Sequence, residues 1–150
     1  MFYCFKPSGQ WYNYVENDGC PQFPFGYGLS YTAFTLDNYA FECNENGASV
    51  SLDIENTGEC DGAEVVQIYF SGKSCDVVMP IIELKAYRRI DLRKGEKKSI
   101  SIDIPKESFF YYNRKMIYDM HNGDYTVSVR KSSKDVCAEF EVRDKKVQIL

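Results

Sequence analysis

From about residue 31 onward the chain keeps a two-residue period, and this constrains its fold more than any other feature. Val50, Leu52 and Ile54 alternate with Ser51, Asp53 and Glu55. Successive side chains of a strand point to opposite faces, so such a run offers one face to a core and one to water. The pattern returns in "KKSISIDIP" through Ile100, Ile102 and Ile104, and in "YTVSVRKSS" through Tyr125, Val127 and Val129. "CAEFEVR" continues it through Ala138, Phe140 and Val142. "AEVVQIYFS" is apolar on both parities, as a strand covered on both sides would be, and "ELKAYRRIDL" supplies one more strand.

The connections are equally regular. "NTGECDG", "RKGE" and "HNGD" are dense in Asn, Asp and Gly, "GKSCDVVMP" is a longer link ending at Pro80, and "FFYYNRKMIYDM" reads as a hairpin around Asn113 and Arg114. Turns about every ten residues and no convincing helix predict an all-β fold. Each strand has one apolar face to hide, so two sheets must stack. The expected architecture is an antiparallel seven- to eight-stranded β-sandwich of immunoglobulin or fibronectin type III-like kind.

At 150 residues there is room for one domain with a sizeable core. The net charge of −4 is uneven: residues 1–75 hold two Lys and ten acidic residues, whereas 76–150 carry +4. An acidic whole argues against general nucleic-acid binding, which depends on neutralising phosphates. The basic cluster Lys85, Arg88, Arg89, Arg93, Lys94, Lys97 and Lys98 alternates with Leu84, Tyr87, Ile90 and Leu92, and reads as the wet face of two strands. Six cysteines at 4, 20, 43, 60, 75 and 137 form no C-x-x-C pair and no regular framework, so free thiols in a reducing, cytoplasmic setting are expected. No apolar run approaches the ~20 residues of a membrane span. "MFYCFKPSGQ" has no basic n-region and does not read as a signal peptide.

Residues 1–30 depart from the strand pattern. Eleven of the 23 aromatic residues lie within the first 34 positions, five of them in "FPFGYGLSYTAF", Phe23 to Phe34. A free linker would not carry so many rings, so this part should pack on something. Phe23 to Gly28 are expected to form a joint, with Tyr31 and Phe34 beginning the first strand.

Taken together, several of these stretches resemble a known family. "FPFGYGLSYTAF" is similar to the junction entering the C-terminal fibronectin type III-like domain of family 3 glycoside hydrolases, the β-glucosidase and β-xylosidase group. "IENTGECDGAEVVQIYFS", "PIIELKAYRRIDLRKGEKKSISIDI" and "FFYYNRKMIYDMHNGDYTVSVRKSS" resemble successive segments of that domain, in the same order. "FYCFKPSG" resembles the element that ends the α/β-sandwich domain preceding it. The resemblance runs from Phe2 to about Ser133. It implies an interdomain segment over 1–22, a remnant of the preceding domain, and a sandwich over 23–150. It also implies a non-catalytic, structural accessory role, with the catalytic barrel and α/β domains of a parent hydrolase as partners. In that family the nucleophile and acid/base carboxylates belong to those other domains, and no carboxylate here matches a family catalytic motif. No catalytic residue, metal or cofactor is therefore assigned.

Other readings attach to particular residues. Trp11, Tyr12 and Tyr14 are the residues to name if the N-terminal aromatics form a carbohydrate-binding platform, the first alternative function. A generic fibronectin-like scaffold or adhesion module is the second. Packing in an interdomain seam explains the same rings, because buried aromatics of ~150–250 Å² each suit such seams. A homodimer through the N-terminal aromatic segment is a further expectation. His121 sits in a turn without a nucleophile motif beside it. The acidic pairs Asp53/Glu55 and Glu59/Asp61 share a wet face without enclosing a calcium ion. Cys60 and Cys75 flank one strand, which alone does not place them within disulfide reach.

Overall fold

The computed structural model describes residues 22–44, 46–73, 77, 79–120 and 123–142, which form nine strands and a single helical turn. The strands are β1 (Phe34–Asn44), β2 (Gly47–Asn56), β3 (Gly62–Gly72), β4 (Glu83–Leu92) and β5 (Lys97–Pro105), then β6 (Phe110–Tyr112), β7 (Tyr118–Met120), β8 (Tyr125–Arg130) and β9 (Val136–Val142). Seven of them build the sandwich, in one sheet ordered β1-β2-β5 and another ordered β4-β3-β8-β9. All pairings are antiparallel. Strands β6 and β7 form the separate hairpin expected around Asn113.

Register follows the apolar alternation. In β2, Val50 and Leu52 point inward opposite Ile102 and Ile100 of β5, and these residues, with Ile54 and Ile104, are almost fully buried. Lys98, opposite Ile54, is exposed near the end of the ladder. Strands β3 and β8 are central in the second sheet and are buried on both faces, although β8 keeps the apolar alternation Tyr125, Val127 and Val129 in its sequence. Gln67 and Tyr69 are buried beside Val66, Ile68 and Phe70, and Thr126 and Ser128 beside Val127 and Val129. Burying each Val, Ile or Leu stabilises by about 1.5–3 kcal/mol. The two layers meet across one core, with Phe109, at the end of the helical turn Lys106–Phe109, packed at a tilt against Phe70 and Tyr125 at centroid distances of 4.6 and 5.6 Å.

The sandwich is closed differently along its two sides. On one, Arg88 donates to the Ser101 carbonyl at 2.9 Å and Lys98 to the Asp91 carbonyl at 2.8 Å, joining β4 to β5. On the other, the Phe41 and Phe140 rings stack at 5.4 Å between β1 and β9. Strand β1 carries a bulge after Asp37, where Asn38 takes φ 52° and its amide donates to Asp53 at 2.8 Å. Asn tolerates this left-handed conformation better than most residues.

Three expectations need correction. Tyr31 does not begin the first strand: the ladder starts at Phe34, and Tyr31 is fully exposed. Tyr87 does not share the inward parity of Ile90 and Leu92. It is 69% exposed, on the same side of β4 as Arg89. The basic run is only partly a wet strand face: Arg93 and Lys94 lie in the β4–β5 turn, Arg88 and Lys98 are exposed on the parity of Ile90 and Ile100, and Lys85 is largely buried. Most of its cations have carboxylate partners: Lys85 with Glu83, Arg89 with Asp91, Lys94 with Glu59, Lys97 with Asp53, and Lys98 with Glu96. Exposed pairs of this kind contribute about 0–1 kcal/mol each.

Candidate functional site

Residues 22–33 form an extended strap that lies across one end of the sandwich without joining a ladder. It opens with a tight turn in which the Tyr27 amide donates to the Pro24 carbonyl at 3.0 Å. Gly26 occupies the third position of that turn with φ 77°, a conformation that side chains with a Cβ rarely adopt.

Two buried amide side chains hold the strap. Gln67, in the middle of β3, donates through Nε2 to the Gly26 carbonyl at 3.1 Å and to the Lys131 carbonyl at 2.7 Å. Its Oε1 accepts from the Tyr69 hydroxyl at 2.7 Å. Asn56, at the end of β2, is completely buried. Its Oδ1 accepts from the Thr32 hydroxyl at 2.6 Å and the Gly58 amide at 3.1 Å, and its Nδ2 donates to the carbonyls of Cys60 (2.8 Å) and Leu92 (3.3 Å). An orphaned buried polar group costs about 1–3 kcal/mol, so these satisfied amides define one position for the strap.

Backbone bonds complete the attachment: Thr57 N donates to Ala33 O at 2.9 Å and Ser133 N to Phe25 O at 2.8 Å. The Cys60 thiol donates to the Tyr31 carbonyl at 3.3 Å. A Cβ at Gly58 would lie 2.1 Å from the Thr32 hydroxyl and 2.6 Å from the Ala33 nitrogen, and one at Gly62 would lie 2.5 Å from the Thr32 methyl. The motif "NTGECDG" is therefore the receiving surface for the strap, with its glycines allowing close approach.

What the strap presents outward is apolar. Phe23, Phe25, Tyr27, Leu29 and Tyr31, every second residue, are 66%, 40%, 47%, 87% and 102% exposed. Beside it, between the turn at Pro24–Gly28 and the β8–β9 turn, opens a cleft of about 430 Å³. A second exposed apolar group lies at the opposite end of the sandwich, on the β6–β7 hairpin: Tyr112, Met116, Ile117 and Tyr118.

The carboxylates with shifted acidity serve the scaffold. Hydrogen bonds from Ser99 (2.5 Å) and Asn38, with the Lys97 charge, hold Asp53 below the usual carboxylate range. The Arg93 amide, followed by Lys98, does the same for Glu96. A glycosidase general acid needs the opposite shift. Among the described residues no three His, Cys, Asp or Glu side chains gather as a metal site. Cys43, Cys60 and Cys137 carry free thiols, and burial pushes the Cys43 and Cys137 thiols above the usual thiol pKa. Trp11, Tyr12, Tyr14 and His121 lie outside the described residues, as does the whole proposed segment 1–22 apart from Gln22. Sequence reading missed Asn56 and Gln67. The signal for Gln67 was a lone amide within the apolar run "VVQIY".

Fold and strap together define a fibronectin type III-like domain, and the family model of that description matches residues 64–133. The chain belongs to the fibronectin type III-like domains of the family 3 glycoside hydrolases, the β-glucosidase group. It is 42% identical over 125 residues to a β-glucosidase of Kluyveromyces marxianus, which covers 80% of this chain and 15% of that protein. It is 35% identical over 134 residues to an exo-α-(1→6)-L-arabinopyranosidase of Bifidobacterium breve, covering 87% of this chain and 18% of that protein. The crystal structure of a Listeria innocua β-glucosidase in complex with glucose superposes with a TM-score of 0.79 at 32% identity, over 88% of this chain and 19% of that one. The chain thus spans less than a fifth of the length of these relatives.

Proposed function

We propose that this chain is the non-catalytic accessory domain of a family 3 β-glucosidase-type glycoside hydrolase, and that it buttresses the catalytic domains through its strap. The observation that carries this reading is an apolar stripe held rigidly in water. Leu29 and Tyr31 are almost wholly exposed, yet the backbone beneath them is fixed by Asn56, Gln67 and Thr57. Isolated domains rarely keep such a surface uncovered, and a partner that buries it gains without having to order it. Two enzymes similar to it act on different glycosides by name, a β-glucoside and an α-L-arabinopyranoside. This fits a domain that supports catalysis without choosing the substrate.

Two measurements test the proposal. The purified chain should hydrolyse no aryl β-glucoside, and hydrolysis abolished by a single carboxylate substitution would overturn the reading. In the enzyme that carries the domain, L29S combined with Y31S should shorten the thermal half-life of activity several-fold while leaving KM unchanged. An unchanged half-life would remove the strap from the seam.

A further inference from the structure

We propose that the cleft beside the strap is a subsite for a neutral saccharide. Its volume of about 430 Å³ lies within the ~300–1,000 Å³ of small-molecule sites. The cleft is preformed, because its two walls are tied to each other. Gln67 Nε2 reaches a carbonyl on each wall, Gly26 O and Lys131 O, and the Ser133 amide crosses to Phe25 O. The turn forming the second wall is itself braced: Ser132 Oγ accepts from the amides of Lys134 (3.4 Å) and Asp135 (3.2 Å), and Lys131 N donates to Asp135 O at 3.1 Å. A ligand entering here orders little that is not already ordered.

The lining selects the ligand class. Tyr27 contributes a half-exposed ring with a hydroxyl at its tip, and Glu64, Asp135, Lys131 and Lys134 contribute two charges of each sign. Of these, Lys131 also donates to Phe34 O at 2.8 Å and Glu64 also accepts from Val65 N at 3.0 Å. A charge-balanced cleft gains little from either an anion or a cation. It does offer acceptors and donors side by side, and a sugar hydroxyl donates one bond while accepting others. The ring supplies the apolar face on which a pyranose C–H face can rest. A peptide strand would find only a short open edge: β8 is paired on both sides, and β3 lacks its β8 neighbour only before Gln67, where the Val65 amide already donates to Glu64 Oε1 at 3.0 Å.

The site goes beyond the accessory role and does not depend on it, so a failed titration would leave that role standing. The test is a heteronuclear NMR titration of the full chain with cellobiose and laminaribiose as probes. Expected are saturable shifts at the amides of Tyr27, Gly28, Lys134 and Asp135, with a Kd on the order of 1–10 mM that is insensitive to salt because the ligand is neutral. Y27A should weaken binding at least tenfold. G28F should abolish it, since a Cβ at Gly28 meets nothing within 4 Å and the added ring fills the cleft without disturbing the core. An unchanged melting temperature of G28F verifies that the fold is intact. Absence of saturable shifts, shifts that survive in G28F, or shifts confined to the β6–β7 hairpin would each overturn the proposal.

Discussion

The two ends of the sandwich both expose aromatic and aliphatic side chains, yet they are built in opposite ways. The strap has no ladder of its own. It takes its shape from Asn56 and Gln67, whose amides project from the ends and middles of other strands. The hairpin is self-sufficient. Its strands pair with each other, Asn113 Oδ1 accepts from the Lys115 and Ile117 amides, and the Tyr118 ring packs against Tyr112 and Phe110 at 5.0 and 5.5 Å. Only its root, Phe109, reaches the core. Long-range capture makes the strap sensitive to changes deep in the sandwich, whereas the hairpin should respond mainly to changes within itself.

Asn56→Ala should give the largest effect, because it strands two donors and two carbonyls at once. A loss of about 3 kcal/mol is expected, lowering Tm by on the order of 10 °C, with strap amides exchanging faster and hairpin amides unchanged. Equal acceleration at both ends would abolish the distinction. Gln67→Ala should cost about 2 kcal/mol and act more selectively. The Ser133 amide, bonded to Phe25 O, should lose protection, and protection that persists would show that the turn at Gly26 holds itself. Asn113→Ala should cost only about 1 kcal/mol and leave the strap untouched, as circular dichroism melts and exchange at residues 24–33 would reveal.

The smallest effects are those of pH on groups between the two ends. Burial, followed by the Cys137 and Asp37 charges, pushes the Tyr39 phenol up to about 12. An unfolded Tyr titrates near 10, so this contribution is complete below about pH 10 and is lost as pH rises toward the folded value. Tyr39→Phe should flatten that alkaline decline in urea midpoints. Asp53 has the opposite sign: its lowered folded value gives stability that is present above the unfolded pKa near 3.9 and disappears as pH falls through the folded one. Asp53→Asn should remove that part of the acid sensitivity, and an identical acid transition would mean that Ser99 and Asn38 make no net contribution.

The same contrast explains what could be read from the sequence. The strands were legible because each carries its own signal: Val50, Leu52 and Ile54 reveal a one-sided strand without reference to any partner. The hairpin was legible for the same reason, since Asn113 and its flanking aromatics are neighbours in the chain. The strap was legible as a joint but not as a structure. The alternation that begins at Tyr31 suggests a strand, yet Thr32 and Ala33 are held by Asn56 and Thr57, 24 positions away. Clefts are hidden in the same manner. Tyr27, Glu64 and Asp135 are far apart in sequence and meet only when Gln67 draws the two walls together.

The positions of the strap and of β9 have a further consequence. The chain enters the sandwich at the strap end. Strand β9 finishes at Val142 opposite Tyr125, beside the root of the hairpin, at the other end. Seven strand residues separate these ends by about 23 Å. The strap and the last residue of β9 therefore lie at opposite poles of the sandwich. A bulky label carried on Val142 itself would stand about that distance from whatever covers Leu29 and Tyr31, and should leave the strap accessible.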